Sequence, residues 1–220
     1  MRPIFTDRTG GVSTGAFSSL NLALHVGDDP QKVRKNRSLL EQRIGKIAYM
    51  NQVHGNRVAV VEEVVDEAPT ADALVTGIPG INLAVMVADC IPLLLVSDVA
   101  VGAVHVGRRG LVNGVAEATI SVMRLMGARR IAAHIGPAIC GRCYEVSADI
   151  YHEVVSAHPA AAALTHSGTL SLDLPKALTQ VLESTKISVE SQSICTAEQA
   201  EYFSYRRDGE TGRQVGIIGL

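Results

Sequence analysis

Short apolar runs rich in β-branched residues, separated by turn residues, dominate the middle of the chain and predict strands. Several runs are apolar at consecutive positions, which is typical of strands that are covered on both faces. We expect strands at 47–53, 58–61, 73–75, 83–87, 92–96, 101–106, 131–135, 187–194 and 215–218.

Apolar residues spaced three and four apart predict helices, the first of them between a cap at Asp29 and a stop at Gly45. Further helices are expected at 111–126, at 148–157 after the cap Ser147, and at 174–183. In the helix 111–126 we expect Leu125 on the buried side. Because helices do not alternate regularly with strands, the pattern favours a layered α+β fold with mixed sheets over a doubly wound one. No linker is visible, so residues 1–220 are expected to form one catalytic domain.

Composition and charge narrow the class of protein. The net charge is −2, so no basic field would attract nucleic acid or anionic lipid. The longest apolar stretch, 83–96, contains Asp89 and Pro92 and is too short to span a bilayer. The first residues show no segment typical of a signal peptide, so we expect a cytoplasmic protein whose four cysteines are reduced.

Three residues suggest a metal site, because each stands where an apolar run meets a Gly or Pro. These residues are His54, Cys90 and His105. Two imidazoles and a thiolate suit zinc, and three protein ligands leave a coordination position for water or substrate. Taken singly, each has an ordinary alternative: a histidine bonded to backbone, or a small buried thiol.

Charged residues near these positions form a second group of candidates. Asp89 is a carboxylate within an apolar run, where it needs a partner or a function. Arg108 and Arg109 lie between glycines before a predicted helix, which indicates either an anion site or a solvated turn. Two glycine-marked loops near the termini also carry cations: Arg8 lies in the first, and Arg206, Arg207 and Arg213 lie in the second. Each loop is an exposed turn, or together the two loops close a pocket for an anionic substrate.

Cys140 and Cys143 have the spacing of a zinc knuckle, but the sequence contains no second such pair to complete a closed site. A zinc deaminase of the cytidine type needs His-x-Glu before Pro-Cys-x-x-Cys. The chain has no His-x-Glu, and Ile139 precedes the first cysteine. That assignment is rejected.

Nine segments spread over almost the whole chain, taken in order, resemble one bacterial family. It is variously labelled polyphenol oxidoreductase ("multicopper laccase"), peptidoglycan editing factor and purine nucleoside phosphorylase. One departure is Arg108, which stands where the family usually has Trp in Gly-Trp-Arg-Gly. The segments are 6–13, 21–28, 52–55, 71–76, 88–90, 103–110, 135–139, 143–146 and 203–208.

The resemblance implies an α/β/β/α sandwich related to cysteine-hydrolase-like toxin domains, and one zinc ion bound by His54, Cys90 and His105. It also implies phosphorolysis of adenosine, inosine and methylthioadenosine, and deamination of adenosine. The expected ligands are therefore a purine nucleoside and phosphate. Within this scheme Asp89 would shuttle a proton and Asn21 would orient the substrate. The candidates for holding phosphate are Arg8, Arg109 and Arg207.

Two other chemistries stay open at this point. Cys90 could act as a nucleophile with His105 or His54 as its base, giving an amidase or peptidase that edits peptidoglycan precursors. Copper could occupy the same ligands with Met50 or Met86 as a weak axial ligand, giving a phenol oxidase. No His-x-His pair is present to hold a multicopper cluster. A non-catalytic binding module fits the clustered His, Cys, Asp and Arg poorly, and the oligomeric state is left open.

Overall fold

The computed structural model describes residues 2–220 and contains twelve strands and six α-helices in that range. The strands are β1 (Ile4–Phe5), β2 (Ile47–Ala48), β3 (Val58–Val60), β4 (Ala73–Thr76), β5 (Asn82–Val87), β6 (Ile91–Ser97), β7 (Val101–Val106), β8 (Ile131–Ile135), β9 (Ala162–Leu164), β10 (Leu170–Leu172), β11 (Ser188–Ser191) and β12 (Gln214–Gly219). The helices are α1 (Pro30–Ile44), α2 (Arg108–Val112), α3 (Val115–Leu125), α4 (Ala148–Ala157), α5 (Leu174–Ser184) and α6 (Tyr205–Asp208).

Two mixed sheets carry the fold. The larger has strand order β11-β8-β6-β7-β4-β3, and the smaller has strand order β1-β12-β5-β2. The pairs β11/β8, β3/β4 and β2/β5 are parallel, and the other pairs within the two sheets are antiparallel. Strands β9 and β10 form a separate antiparallel hairpin.

The core has three layers because both faces of each sheet are covered. Leu94 on β6 packs between the sheets with Val85 of β5. Its neighbour Leu93 belongs to the layer under α3, which contains Ile120 and Met123. Successive strand residues point to opposite faces, so consecutive apolar residues are what a two-sided core requires. The expected single-domain α+β fold with α/β/β/α layers is confirmed.

Helix α1 covers the outer face of the smaller sheet. Leu40 packs there with Ala84 and Ile217. The predicted cap is confirmed, because the Asp29 carboxylate accepts a 2.8 Å hydrogen bond from the amide of Gln31. At α4, Ser147 does stand in the N-cap position, but its side chain makes no capping hydrogen bond.

The predicted helix 111–126 is wrong in one respect, since it is two helices. Gly114 adopts φ 71°, a left-handed conformation that ends α2 and starts α3. The expectation that Leu125 lies on the buried side is also wrong. Leu125 is 87% exposed and Met123 is fully buried, because residues two positions apart lie on nearly opposite faces of a helix.

Two predicted strands are shorter than expected. Of residues 47–53, only Ile47–Ala48 form a strand, because the Gln52 side chain then bonds both backbone groups of Met86 and draws the chain into a loop. Of residues 187–194, only Ser188–Ser191 pair with β8. The hairpin β9/β10 and the short elements β1 and α6 were not predicted. No helix among residues 2–220 is long and apolar enough to cross a bilayer.

Two matched leucines test this packing. Leu94→Ala removes a fully buried side chain between the sheets and is expected to lower the free energy of unfolding by about 2–5 kcal/mol, because it leaves a cavity. The control Leu125→Ala lies on the surface and should change it by less than about 0.5 kcal/mol. Urea unfolding monitored by circular dichroism measures both. Equal losses would contradict the layer assignment.

Candidate metal centre and active-site cleft

Folding brings together the three residues singled out from the sequence. Cys90 directly precedes β6, and His105 lies on the adjacent antiparallel strand β7, opposite Pro92. His54 comes from the loop before β3. One ligand atom from each side chain lies within 4.8 Å of the others.

The buried side chain of Asp72 holds this arrangement in place. Its side chain is fully buried and accepts hydrogen bonds from the amides of His54 (2.9 Å) and Gly55 (2.7 Å). It also bonds Nδ1 of His105 at 2.9 Å. One carboxylate therefore positions the loop that carries one imidazole and the ring of the other. Sequence reasoning missed this residue as a site member, although a lone Asp in Ala71-Asp72-Ala73 before an apolar strand was a usable signal.

Backbone strain is concentrated beside the cluster. His54 has φ 60° and Asp89 has φ 91°, both in the region that side chains other than glycine rarely adopt. Such residues cost of order 1–3 kcal/mol and persist only where neighbours hold them. The hydrogen bond from the His54 amide to Asp72 holds His54 in this conformation. Hydrogen bonds from Thr196 and Arg206 to the Asp89 carboxylate hold Asp89.

The electrostatics of the cluster favour a thiolate. Burial opposes ionisation of Cys90, but the charge of His105 and hydrogen bonds from both imidazoles lower the pKa of Cys90 to about 6. Burial likewise disfavours the His105 imidazolium, and the charges and hydrogen bonds of Cys90 and Asp72 raise the pKa of His105 to about 9. Burial acts against Asp72 too, yet its hydrogen bonds lower the pKa of this carboxyl to about 2.

These residues fit a zinc ion. Cys90 Sγ lies 3.9 Å from His54 Nε2, closer than the sum of ordinary Zn–S and Zn–N distances, about 4.4 Å. Asp72 bonds Nδ1 of His105, which leaves Nε2 as the donor, as metal-binding histidines commonly require. A Cβ on Gly107 would stand 3.0 Å from His54 and 3.1 Å from Cys90 Sγ, so only glycine leaves this space open.

The cluster opens into a cleft of about 350 Å³, within the range of small-molecule sites. Three arginines reach this cleft from separate segments, and two tyrosines supply flat apolar surface. These residues are Arg108, Arg206, Arg213, Tyr144 and Tyr205. A larger cleft of about 590 Å³ lies beside Cys140 and Cys195, but it lacks both imidazoles and all three arginines. The smaller cleft is therefore the candidate active site.

Asp89 and Arg109 lie at this cleft in different ways. Asp89 lines it, but Oδ1 accepts a 2.7 Å hydrogen bond from Thr196 Oγ1 and Oδ2 accepts a 2.6 Å bond from the Arg206 amide. This carboxylate therefore fixes two loops against the cluster. Arg109 is exposed at the rim, beside His54 and Cys90.

Arg8 and Arg207 are not among the residues that line the cleft. Arg8 donates from Nε to the carbonyl of Ser18 at 2.7 Å. Arg207 donates at 2.8 Å to the carbonyls of Thr196 and Tyr202. Both guanidinium groups hold loops together.

Asn21, expected to orient the substrate, is fully buried, and its side-chain oxygen accepts a 2.9 Å hydrogen bond from the Arg213 amide. It is connected to the cleft through the backbone of this residue. Sequence reasoning named Arg206 and Arg213 only as members of a loop that could close a pocket, and from that loop it chose Arg207 as a candidate phosphate ligand. Arg206 adjoins Arg207 in a short helix, where neighbouring side chains point in different directions.

Comparison with known proteins identifies the family. Residues 2–220 match the family model described as multi-copper polyphenol oxidoreductase laccase. The chain belongs to this family. The resemblance stated from the sequence segments is thereby confirmed.

Relatives of known name and structure cover nearly the whole chain. A purine nucleoside phosphorylase of Streptomyces coelicolor is 45% identical over 98% of this chain and 94% of its own. Another, from Deinococcus radiodurans, is 40% identical over 98% and 88%. A solved Neisseria meningitidis protein has TM-score 0.91 and 38% identity over 99% and 93% of the two chains. YlmD from Geobacillus stearothermophilus has TM-score 0.87 and 32% identity over 99% and 91%.

The charge of Asp72 can be tested in metal-free protein. Asp72→Asn removes the negative charge that favours the His105 imidazolium, so the pKa of Cys90 is expected to rise above about 6. Less thiolate would then exist at neutral pH, and alkylation of Cys90 by iodoacetamide should require higher pH. Mass spectrometry of the alkylated peptide measures this profile. The control Asp66→Asn, in an exposed loop, should leave it unchanged; identical profiles for both variants would refute the role of Asp72.

Proposed function

We propose that this chain is a zinc-dependent purine nucleoside phosphorylase whose metal ligands are His54, Cys90 and His105. The observation that carries the proposal is that this donor cluster and three arginines open into the same cleft. Phosphate needs cations, and a departing purine needs stabilisation of its developing charge. The names of the relatives support the same reaction.

The cleft residues have two proposed binding tasks. Arg206 and Arg213 each donate from Nη1 to backbone carbonyls, which holds them at the cleft, and their remaining guanidinium nitrogens are suited to phosphate oxygens. Arg206 lies over one face of the Tyr144 ring, 5.2 Å from its centre, so a purine would stack on the opposite face. Arg108, in place of the family's usual Trp, puts a cation where an aromatic surface would be, and its Nη1 is ion-paired with Glu153 at 3.0 Å. We expect this exchange to reduce stacking on the base, and an anion bound by Arg108 would compete with Glu153.

In phosphorolysis, a phosphate oxygen forms a bond to the anomeric carbon of the ribose while the bond from that carbon to the purine nitrogen breaks. The purine departs with the electron pair and takes up a proton. The arginines orient phosphate and offset its charge, and the cleft keeps the reacting groups close. Zinc, when bound, would supply Lewis-acid polarisation and a more acidic water molecule.

We extend the proposal to adenosine, inosine and methylthioadenosine as nucleosides, and to deamination of adenosine in the same cleft. Deamination replaces the exocyclic amine with oxygen from water, and the leaving ammonia must receive a proton. Asp89 lines the cleft next to Cys90 and is not one of the three proposed metal ligands. It is therefore the candidate for this transfer, and taking up the proton would weaken one of its hydrogen bonds to Thr196 and Arg206.

Metal removal tests the proposed function directly. Dialysis against a strong chelator is expected to abolish phosphate-dependent release of free purine from inosine, and added zinc should restore it. His54→Ala should show the same loss without rescue by zinc. Chromatographic detection of hypoxanthine with and without phosphate measures the reaction. Full activity in protein shown to be metal-free would refute metal dependence.

The arginine assignment has a kinetic test. Arg206→Ala is expected to raise the KM for phosphate about tenfold to a hundredfold, the equivalent of losing one charge-assisted hydrogen bond. Its main-chain bond to Asp89 is kept. Arg129→Ala removes an exposed arginine outside the cleft and serves as control. An unchanged KM for phosphate in Arg206→Ala would show that phosphate does not bind to Arg206.

A second candidate function rests on Cys90, His105 and Asp72, which form the arrangement of a cysteine-hydrolase triad. A thiolate of pKa about 6 beside an imidazolium held by a carboxylate is an activated nucleophile. It would support an amidase or peptidase acting on peptidoglycan precursors. Such an activity should survive chelation, whereas zinc should inhibit it by occupying the thiolate.

Copper is the third candidate, suggested by the family's description. The His₂Cys set suits a single copper ion with a weak thioether ligand. Met86 lines the cleft, whereas Met50 is buried in the core between the sheets. Intense blue absorption by protein purified without added metal would favour a phenol oxidase over the nucleoside reaction.

A further inference from the structure

A second group of potential ligands lies outside the cleft of the proposed reaction. It consists of Cys140, Cys143, Cys195 and Glu198, whose four ligand atoms all lie within 4.8 Å of one another. The sequence contains no second Cys-x-x-Cys pair, but Cys195-x-x-Glu198 repeats the same spacing with a carboxylate in the last position. We refer to these four residues as the tri-cysteine cluster.

The sheet topology explains why two distant segments meet there. Strands β8 and β11 are parallel neighbours, so the chain leaves both at the same edge of the sheet. Beyond them, Ala138 and Cys195 continue the pairing as a parallel bridge. Each Cys-x-x segment then turns immediately, and the two turns face each other.

The two turns have the same backbone form. The amide of Cys143 donates to the Cys140 carbonyl at 3.1 Å, and the amide of Glu198 donates to the Cys195 carbonyl at 3.3 Å. In addition, the Cys140 amide points at Cys195 Sγ across 3.3 Å. Paired turns that each offer two donors are the usual construction of a structural zinc site.

The distances suit one ion surrounded by four protein donors. Oε1 of Glu198 lies 3.4 Å from Cys143 Sγ and 3.7 Å from Cys140 Sγ. Both separations are below about 4.4 Å, the sum of ordinary Zn–S and Zn–O distances. His166 Nε2 lies 3.4 Å from the same carboxylate oxygen and can orient it.

We propose that the tri-cysteine cluster binds a second zinc ion in a closed, structural site. Three thiols would release their protons to solvent on binding, and the carboxylate of Glu198 would complete the tetrahedron. Four protein donors leave no position for substrate, so this ion would stabilise the fold and take no part in turnover. The proposal does not depend on the function proposed for the first cluster.

The proposed ion would stabilise segments that line the active-site cleft. Ile139 and Tyr144 flank the first turn and line the cleft. Thr196, next to Cys195, donates its hydroxyl hydrogen to Asp89, the residue before Cys90. Ile139 donates its amide hydrogen to the Asp89 carbonyl at 2.9 Å. Each turn of the tri-cysteine cluster is therefore connected to Asp89 through one residue, Ile139 for the first turn and Thr196 for the second.

Metal analysis of the full chain tests the proposal. Wild-type protein is expected to carry one zinc ion at each cluster. Cys90→Ala should lose only the first ion, Cys143→Ala only the second, and the double variant both. In cobalt-substituted Cys90→Ala protein, a near-ultraviolet band of thiolate-to-cobalt charge transfer should remain, since three of the four cysteines are intact.

Glu198→Gln is a second test that should leave the protein folded, because the side chain of Glu198 is exposed and can be changed without opening the core. In the Cys90→Ala background it is expected to weaken cobalt binding at least about tenfold, as loss of a supporting metal contact typically does. Glu201→Gln, an exposed neighbour outside the cluster, is the control and should bind normally. Folded Cys90→Ala protein that binds neither zinc nor cobalt would overturn the proposal. A disulfide between two of the three cysteines in freshly purified protein would also overturn it.

Discussion

The buried carboxylate of Asp72 is the constraint on which the candidate site depends. A charge removed from water is costly unless it is paired and hydrogen-bonded, and Asp72 meets that requirement with the amides of His54 and Gly55 and the ring of His105. The same bonds determine where two proposed metal ligands point. Because its pKa is about 2, the carboxylate remains charged at any pH at which the protein would work.

The negative charge of Asp72 determines which protonation states its neighbours prefer. It favours the imidazolium form of His105, which in turn favours the thiolate of Cys90. A thiolate held between two imidazoles is suited both to a metal ion and to nucleophilic attack. The cluster alone therefore does not separate a zinc phosphorylase from a cysteine hydrolase. The arginines of the adjoining cleft, which match phosphate, favour the phosphorylase.

Much of the fold was predictable because local signals and the core agree. The cap at Asp29 and the apolar strands of the larger sheet were both visible in the sequence. The failures have causes that the apolar pattern does not reveal. Gly114 splits one helix by adopting a left-handed conformation, and the side chain of Gln52 ends a strand by bonding the backbone of Met86.

The sequence by itself determined the layered fold class and the identity of His54, Cys90 and His105 as candidates, because strand periodicity and residue chemistry are local properties. Only the tertiary structure decided which charged side chains lie next to these three residues. Asp72 supports the cluster through contacts between distant segments. Arg206 lines the cleft while one of its nitrogens donates to the Glu145 carbonyl, whereas its neighbour Arg207 lies outside the cleft and bonds other carbonyls. Such choices depend on loop pairing across the whole chain, and neighbours in sequence carry no information about them.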